Sequence, residues 1–136
     1  MLKYFYKLYF QYRIDDSLTS TFGIGYFTTL KKAKEMIDVY SVKTGFKDFD
    51  KSHFHIDKRG VWFDDDNVNK EEIDIYELSC EKQIDDDVYE WADFGVFSSY
   101  DKAEHEKKSQ EKKRAYRTAE FFIDKWQPDK DLEWSE

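Results

Sequence analysis

The sequence is poor in residues that cross-link or interrupt a chain. It has one cysteine, one proline and five glycines among 136 residues. The single cysteine, Cys80, excludes an internal disulfide and favours a reducing compartment. No segment approaches the about 18 apolar residues of a membrane span, and the N-terminus lacks the apolar core of a signal peptide. We therefore expect a soluble, cytoplasmic protein that does not bind a membrane.

Positive charge is also scarce, because 22 lysines and arginines face 30 acidic residues and leave a net charge of −8. This balance argues against general nucleic-acid binding, which needs cations that displace counterions from phosphates. It is compatible with a basic protein partner, or with acidity that only keeps the chain in solution. Aromatic residues make up 19% of the sequence, so we expect a folded core.

Motifs of known enzymes are missing as well, including the P-loop, the dinucleotide fingerprint, zinc-ligand pairs and nucleophile elbows. We expect a non-enzymatic protein without a cofactor; a small carboxylate enzyme, the alternative, requires a deep pocket with convergent acids. His53 and His55 would share one strand face as half of a metal site, but no third ligand has a suitable spacing. Cys80 falls on the inward face of its strand and is predicted to be a buried apolar side chain, not a nucleophile.

What the chain does contain is an internal repeat. Residues 6–33 align with residues 76–103 without a gap, and such a fixed period indicates a repeated supersecondary unit. The sequence predicts a first copy at 1–66 and a second at 67–136, together forming one compact pseudo-symmetric domain. The identical pairs are Tyr6/Tyr76, Leu8/Leu78, Ile14/Ile84, Asp15/Asp85, Asp16/Asp86, Gly25/Gly95, Phe27/Phe97, Lys32/Lys102 and Ala33/Ala103.

Each copy has the pattern of strand, strand, helix and strand. The first strand alternates apolar and polar positions over 2–14, and Gly23 and Gly25 in the second indicate a bulge or a close neighbour. Thr28 or Thr29 is a plausible N-cap of the first helix, and Ser98 or Ser99 of the second. We expect the first helix to end at Gly45 and the second near Arg117, and the tail from Asp129 to pack only through Leu132 and Trp134.

These elements predict an α+β fold. Right-handed crossovers place the first strand of each copy between the other two, a split βαβ arrangement. Two copies side by side give a six-stranded, mostly antiparallel sheet with two helices on one face. The alternative is two separate small sheets packed through their open faces.

The second helix differs from the first because it has almost no apolar stripe between Ala103 and Ala115. A helix that is polar all round is either held by charge pairs and solvated, or exposed to a partner. Its cations offer a surface for an acidic protein or for nucleic acid. They are Lys107, Lys108, Lys112, Lys113, Arg114 and Arg117.

Aromatic side chains on the sheet face that no helix covers are the strongest functional indication. Phe5 and Tyr9 are expected on that face, as is Trp91 beside Asp93, and large exposed rings mark interaction sites. Acidic turns would steer a basic partner towards them. The predicted partner-binding residues are Asp64, Asp65, Asp66, Asp85, Asp86, Asp87, Trp91, Phe5 and Tyr9.

Several landmarks resemble a small, uncharacterised ββαβ domain family of low-GC Gram-positive bacteria. They are Gly25-Tyr26-Phe27-Thr28-Thr29, Lys32-Ala33, Gly45-Phe46-Lys47-Asp48 and Phe54-His55-Ile56-Asp57, with Gly95-Val96-Phe97-Ser98-Ser99, Lys102-Ala103 and Phe121-Phe122-Ile123-Asp124 in the second copy. The second copy lacks the glycine turn. The resemblance implies the fold of each copy but no reaction, because no activity is assigned to this family.

Together these features favour a non-enzymatic interaction protein of bacterial or phage origin. Its most concrete form is an acidic inhibitor of the immunity type that binds a basic protein. One alternative is a homodimeric scaffold or regulatory module whose open sheet faces pair. The other is a nucleic-acid contact through the basic second helix.

Overall fold

The computed structural model describes residues 1–14, 19–65, 68–70, 72–86 and 88–131. The fold is α+β, as predicted, with two α-helices and mostly antiparallel sheets. In chain order the elements are β1 (Leu2–Arg13), β2 (Thr19–Phe27), α1 (Leu30–Tyr40), β3 (Phe54–Trp62), β4 (Ile75–Asp85), β5 (Val88–Phe97), α2 (Tyr100–Glu111), β6 (Glu120–Trp126) and β7 (Lys130–Asp131). No described helix is both long enough and apolar enough to cross a membrane.

The strands form two sheets, so the predicted single six-stranded sheet is wrong. One sheet has the order β3-β1-β2-β7 and the other the order β5-β4-β6. The outer edge of β2 is occupied by β7, a strand that the sequence did not predict, and is therefore not available to β4, β5 or β6. The first strand of each copy is central, as predicted, and the two copies share one strand order.

The described residues cluster into two compact units. The first is drawn from 4–60, 69–73 and 127–136, and the second from 1–3, 61–68 and 74–126. The first unit therefore holds most of the four-stranded sheet with α1, and the second holds the three-stranded sheet with α2.

The core of the first unit lies between its sheet and α1. Alternation along β1 sends Leu8 and Phe10 towards the helix, which supplies Ala33 and Tyr40. Burying such side chains contributes about 1.5–3 kcal/mol each to the hydrophobic free energy. The described buried residues of this cluster are Leu8, Phe10, Ile24, Phe27, Ala33, Tyr40, Phe46 and Phe54.

A β-bulge occurs at the same place in both copies. Leu8 pairs with Gly25 and Tyr9 with Gly23, which leaves Ile24 as the extra residue. In the second copy Phe94 is the extra residue, between the partners of Leu78 and Ser79. The glycines had predicted a bulge or a close neighbour, and Gly25 has both, because a Cβ there would lie 2.9 Å from the carbonyl oxygen of Lys130.

Both helices begin at the predicted hydroxyl caps. The Thr29 side chain accepts a hydrogen bond from the Lys32 amide, and the Ser99 side chain accepts one from the Lys102 amide. Both helices end earlier than predicted, α1 at Tyr40 and α2 at Glu111. Gly45 instead lies in the following turn with φ 97°.

The helix α2 covers its sheet sparsely, as its polar sequence predicted. Ala103 is its only buried residue. Beyond its end, a short 3-10 turn at Arg114–Tyr116 brings an aromatic ring against the sheet. Tyr116 packs edge-on against Phe94, with ring centroids 5.1 Å apart, and Phe94 stacks on Phe121 at 5.7 Å. These rings supply the apolar contacts that the helix itself lacks.

Candidate functional site

A stacked aromatic pair with one exposed ring lies on the face of the second unit's sheet opposite α2. Trp91 on β5 is 59% exposed and stacks on Phe122 of β6, with ring centroids 5.6 Å apart and planes 14° from parallel. The two rings reach towards each other across β4. Ser79, which pairs with Phe122, is the small buried residue on β4 at this level.

Carboxylates surround this pair. Strand register places Glu81 directly opposite Trp91 on one side and Glu120 on the other. Asp93 follows Trp91 on the same face of β5. We call these five residues the acidic–aromatic face: Glu81, Trp91, Asp93, Glu120 and Phe122.

The charges on the two faces of this sheet are arranged differently. On the face towards α2, Lys82 lies opposite Glu90, a favourable cross-strand pair. On the acidic–aromatic face, Glu81 lies opposite Glu120, and like charges in this position are destabilising. Neither glutamate forms an ion pair with a described residue, and the described ranges include every lysine and arginine of the chain. Glu81 and Glu120 thus carry negative charge that no cation of the described residues neutralises.

The predicted acidic turn at 85–87 lies at the tip of the same β4–β5 hairpin. Asp85 and Asp86 are exposed, and a side-chain oxygen of Asp85 accepts a hydrogen bond from the Asp86 amide at 2.8 Å. Both line a wide, open depression of about 390 Å³ together with Thr118. Asp87 lies outside the described residues. The depression is too open to enclose a substrate, but it extends the acidic surface towards the hairpin tip.

The other predicted acidic segment, 64–66, is less available. Asp64 forms an ion pair with Lys102, with Oδ2 and Nζ 3.0 Å apart, although its side chain is 90% exposed. Asp65 also has an interaction partner, and Asp66 lies outside the described residues. Asp64 and Asp65 therefore present less free charge than the sequence suggested.

Phe5 and Tyr9 do not form the exposed aromatic surface that the sequence predicted. Phe5 is fully buried, with the Lys70 ammonium 4.9 Å from its ring centre, so the expectation of an exposed ring is wrong. Tyr9 is half-buried and stacks on His55 at 5.3 Å. Burial, with a smaller contribution from the Asp57 carboxylate, raises the pKa of Tyr9. The Tyr9 ring therefore packs against its own sheet and does not project as an exposed anchor.

The two histidines do not share a face. His53 packs against Phe49 and its Nδ1 lies 3.0 Å from the carbonyl oxygen of Gln11. His55 packs against Tyr9, whose side chain points to the other side of the sheet from Phe10, a neighbour of His53. Among the described residues, no group of three or more histidine, cysteine or acidic side chains is arranged to hold a metal ion.

Cys80 is fully buried on β4, as predicted. Burial raises the pKa of its thiol, because an apolar environment disfavours the thiolate. A buried thiol with a raised pKa is a poor nucleophile.

The basic end of α2 is the one other charged surface that the sequence had singled out. Lys107 is held between Glu104 and Glu111, at 3.9 and 3.6 Å. The remaining cations are exposed and form no ion pair with a described residue. They are Lys108, Lys112, Lys113, Arg114 and Arg117.

Sequence reasoning found Trp91 but missed Glu81, Glu120 and Phe122. Alternation alone assigns each of them to a strand face, yet it does not say which strands are neighbours. The register of β4 with β6 is what brings the two glutamates opposite each other. Comparisons with models of known protein families, with curated proteins and with solved structures found no match.

Proposed function

We propose that this chain is a protein-interaction module that binds a basic protein through the acidic–aromatic face. The observation that carries the proposal is the exposed Trp91 ring, stacked on Phe122, beside two opposed glutamates that form no ion pair with a described residue. Tryptophan is enriched among residues that dominate binding energy, and the stack holds this one in place before a partner arrives.

The charge pattern defines the partner. Uncompensated carboxylates raise the rate of encounter with a basic surface and disfavour acidic ones. A cation of the partner would also relieve the repulsion between Glu81 and Glu120, so this part of the binding energy exists only in the complex. An acidic inhibitor of the immunity type, which covers a basic surface of its target, is the specific form that we favour.

The same pattern argues against a homodimer formed through this face. Two copies meeting there would place carboxylate against carboxylate, and such juxtaposition costs several kcal/mol. A contact between this face and the basic end of α2 of another copy would be complementary, but it is a head-to-tail contact that forms rings or open chains.

A second candidate function rests on the basic end of α2, whose five exposed cations form no ion pair with a described residue. Such a cluster would contact phosphates of a nucleic acid. Binding of this kind weakens steeply with salt and would be lost when Lys112, Lys113 and Arg114 are reversed to glutamate.

The test compares three immobilised proteins in a cell lysate of the native host at low and moderate salt. The wild type and the variant Glu90→Gln should both retain one stoichiometric basic protein. The double variant Glu81→Gln/Glu120→Gln should lose it, although its strands are unchanged in shape. Glu90 provides the control because it lies on the opposite face of the same hairpin.

Purified partner and module are then mixed, and their complex is measured by light scattering after size exclusion. A basic protein retained equally by all three immobilised proteins would contradict the proposed face. A stable dimer of the wild type alone, with no retained partner, would favour the homodimeric alternative.

A further inference from the structure

We infer that the indole of Trp91, together with Glu81 and Asp93, forms a binding site for an arginine side chain of the partner. The inference rests on the proposed function and specifies the group that the face recognises. It is carried by the geometry of the aromatic stack and by the positions of the carboxylates around it.

One face of the indole is already covered. Phe122 lies nearly parallel to it at 5.6 Å, yet 59% of the Trp91 surface stays accessible. The ring is therefore supported from one side and open to solvent elsewhere. Tryptophan is the best aromatic acceptor of a cation over its ring, and a flat guanidinium stacks on it with the largest contact.

Strand register places two carboxylate residues next to Trp91 on the same face of the sheet. Glu81 is directly opposite Trp91, where side chains of paired strands are about 5 Å apart at Cβ. Asp93 is the next residue on the same face, and the Gly95 amide donates a hydrogen bond to its Oδ1 at 2.9 Å. This hydrogen bond fixes the Asp93 side chain at the bulge.

A guanidinium has five N–H donors in its plane, so it can stack on the indole and bind carboxylates at its edge together. A lysine ammonium is a compact, strongly hydrated charge. It stacks less favourably on the indole and makes no planar set of hydrogen bonds to carboxylates. The site is therefore expected to prefer arginine to lysine.

The opposed glutamates give an independent reason for a cation here. Glu120 lies on the far side of Glu81 from Trp91, so Glu81 has an aromatic ring on one flank and a like charge on the other. A guanidinium beside Glu81 removes this repulsion. A metal ion is a poorer fit because an aromatic ring provides no ligand atom and the described residues hold no metal-binding cluster.

The experiment follows the indole N–H signals of the intact ¹⁵N-labelled protein by NMR. The sequence has four tryptophans, and the signal of Trp91 is identified by its loss in Trp91→Phe. The probes are hexa-arginine, hexa-lysine and hexa-citrulline peptides; citrulline keeps the shape of arginine without its charge. We expect hexa-arginine to shift the Trp91 signal saturably, hexa-lysine to bind about threefold to tenfold more weakly, and hexa-citrulline to leave the signal unchanged.

Variants locate the site. Glu81→Gln should weaken hexa-arginine binding about tenfold, and Glu90→Gln, with the same change in net charge on the opposite face, should leave it within about twofold. Equal binding of the arginine and lysine peptides without a Trp91 shift would overturn the arginine site while leaving a basic partner in place. Failure of the wild type to retain a basic protein in the lysate experiment, by contrast, would overturn the proposed function itself.

Discussion

Lys32 and Asp129, which are 97 residues apart in the chain, form an ion pair in which Nζ and Oδ2 are 2.8 Å apart. The same carboxylate accepts hydrogen bonds from the amide and the hydroxyl of Thr28, just before α1. Burial raises the pKa of Asp129, but the bonds from Lys32 and Thr28 outweigh it and hold the pKa below its usual value. The carboxylate thereby anchors the C-terminal segment that forms β7 at the start of α1, where a negative charge is favourable.

The equivalent lysine of the second copy makes the equivalent interaction. Lys102 binds Asp64 at 3.0 Å, and its Nζ donates to the Ser98 hydroxyl at 3.0 Å. In each copy, two hydroxyl residues before the helix are followed by a lysine that pairs with an aspartate. That aspartate comes from the segment after the last strand of the other copy. The repeated motif therefore acts as a carboxylate-binding position at the start of each helix.

The variant Asp129→Asn should destabilise the protein at pH 7 by about 1–2 kcal/mol, because it replaces charge-assisted bonds at a partly exposed site. Asparagine keeps the shape of the side chain and tolerates the positive φ of 64° at this position. The measurement is the free energy of unfolding by urea. Asp64→Asn is the matched control, and its cost should be smaller because the Asp64 side chain is 90% exposed.

The cost of Asp129→Asn should depend on pH. Since the pKa of Asp129 is lowered in the folded protein, its stabilisation is fully present above its ordinary pKa of about 3.8. It is lost as the pH falls through the lower pKa of the folded state. The stabilities of wild type and variant should therefore converge in strong acid, and an unchanged gap there would show that the charge is not the cause.

The variant Gly25→Ala should displace β7 from the edge of β2. The added methyl group would lie 2.9 Å from the Lys130 carbonyl oxygen, which belongs to backbone and cannot rotate away. We expect a loss of about 1–3 kcal/mol, typical of overpacking, and faster proteolysis of the segment after Trp126. Mass spectrometry of a limited digest measures this directly. Gly95→Ala is the comparison, because it strains the backbone at φ 116° without touching β7, and it should leave that segment protected.

Reversing one charge on each face of the β4–β5–β6 sheet should change stability in opposite directions. Glu120→Lys turns the opposed Glu81/Glu120 pair into an attractive pair and should stabilise by about 0.2–1 kcal/mol. Glu90→Lys places a cation opposite Lys82 and should destabilise by a similar amount. Thermal unfolding of both variants measures the effect. A stabilising Glu90→Lys would contradict the strand register.

Cys80 should resist thiol reagents in the folded protein. It is fully buried, and burial raises the pKa of its thiol, so both access and thiolate concentration are low. Labelling with a chromogenic disulfide should be slow in buffer and fast in 6 M guanidinium chloride, which is about the concentration that unfolds even very stable proteins. Rapid labelling in buffer would place Cys80 at the surface.

Much of the local structure was predictable because its causes are local. Period-2 alternation located the strands. A pair of hydroxyl residues precedes each helix, and this pair predicted where each helix begins. The repeat predicted that both copies share one strand order, with the first strand central. Of the candidate surface, Trp91, Asp93 and the Asp85–Asp86 turn were identified and are also exposed in the structure.

Phe5 shows why exposure could not be predicted in the same way. Alternation correctly assigned it to the side of β1 away from α1, but whether that side is covered depends on distant segments such as the one containing Lys70. The pairing of β7 with β2 had no sequence signal either, since a two-residue strand has no measurable period.

The sequence by itself determined the repeat, the order of elements and the capping residues, because these depend on side chains within a few positions of one another. Only the tertiary structure decided that the strands form two sheets, that Glu81 faces Glu120, and that Lys32 meets Asp129. The physical reason is that strand register and long-range ion pairs join residues far apart in the chain. The packing of the whole unit selects their partners, and a local sequence pattern does not predict that packing.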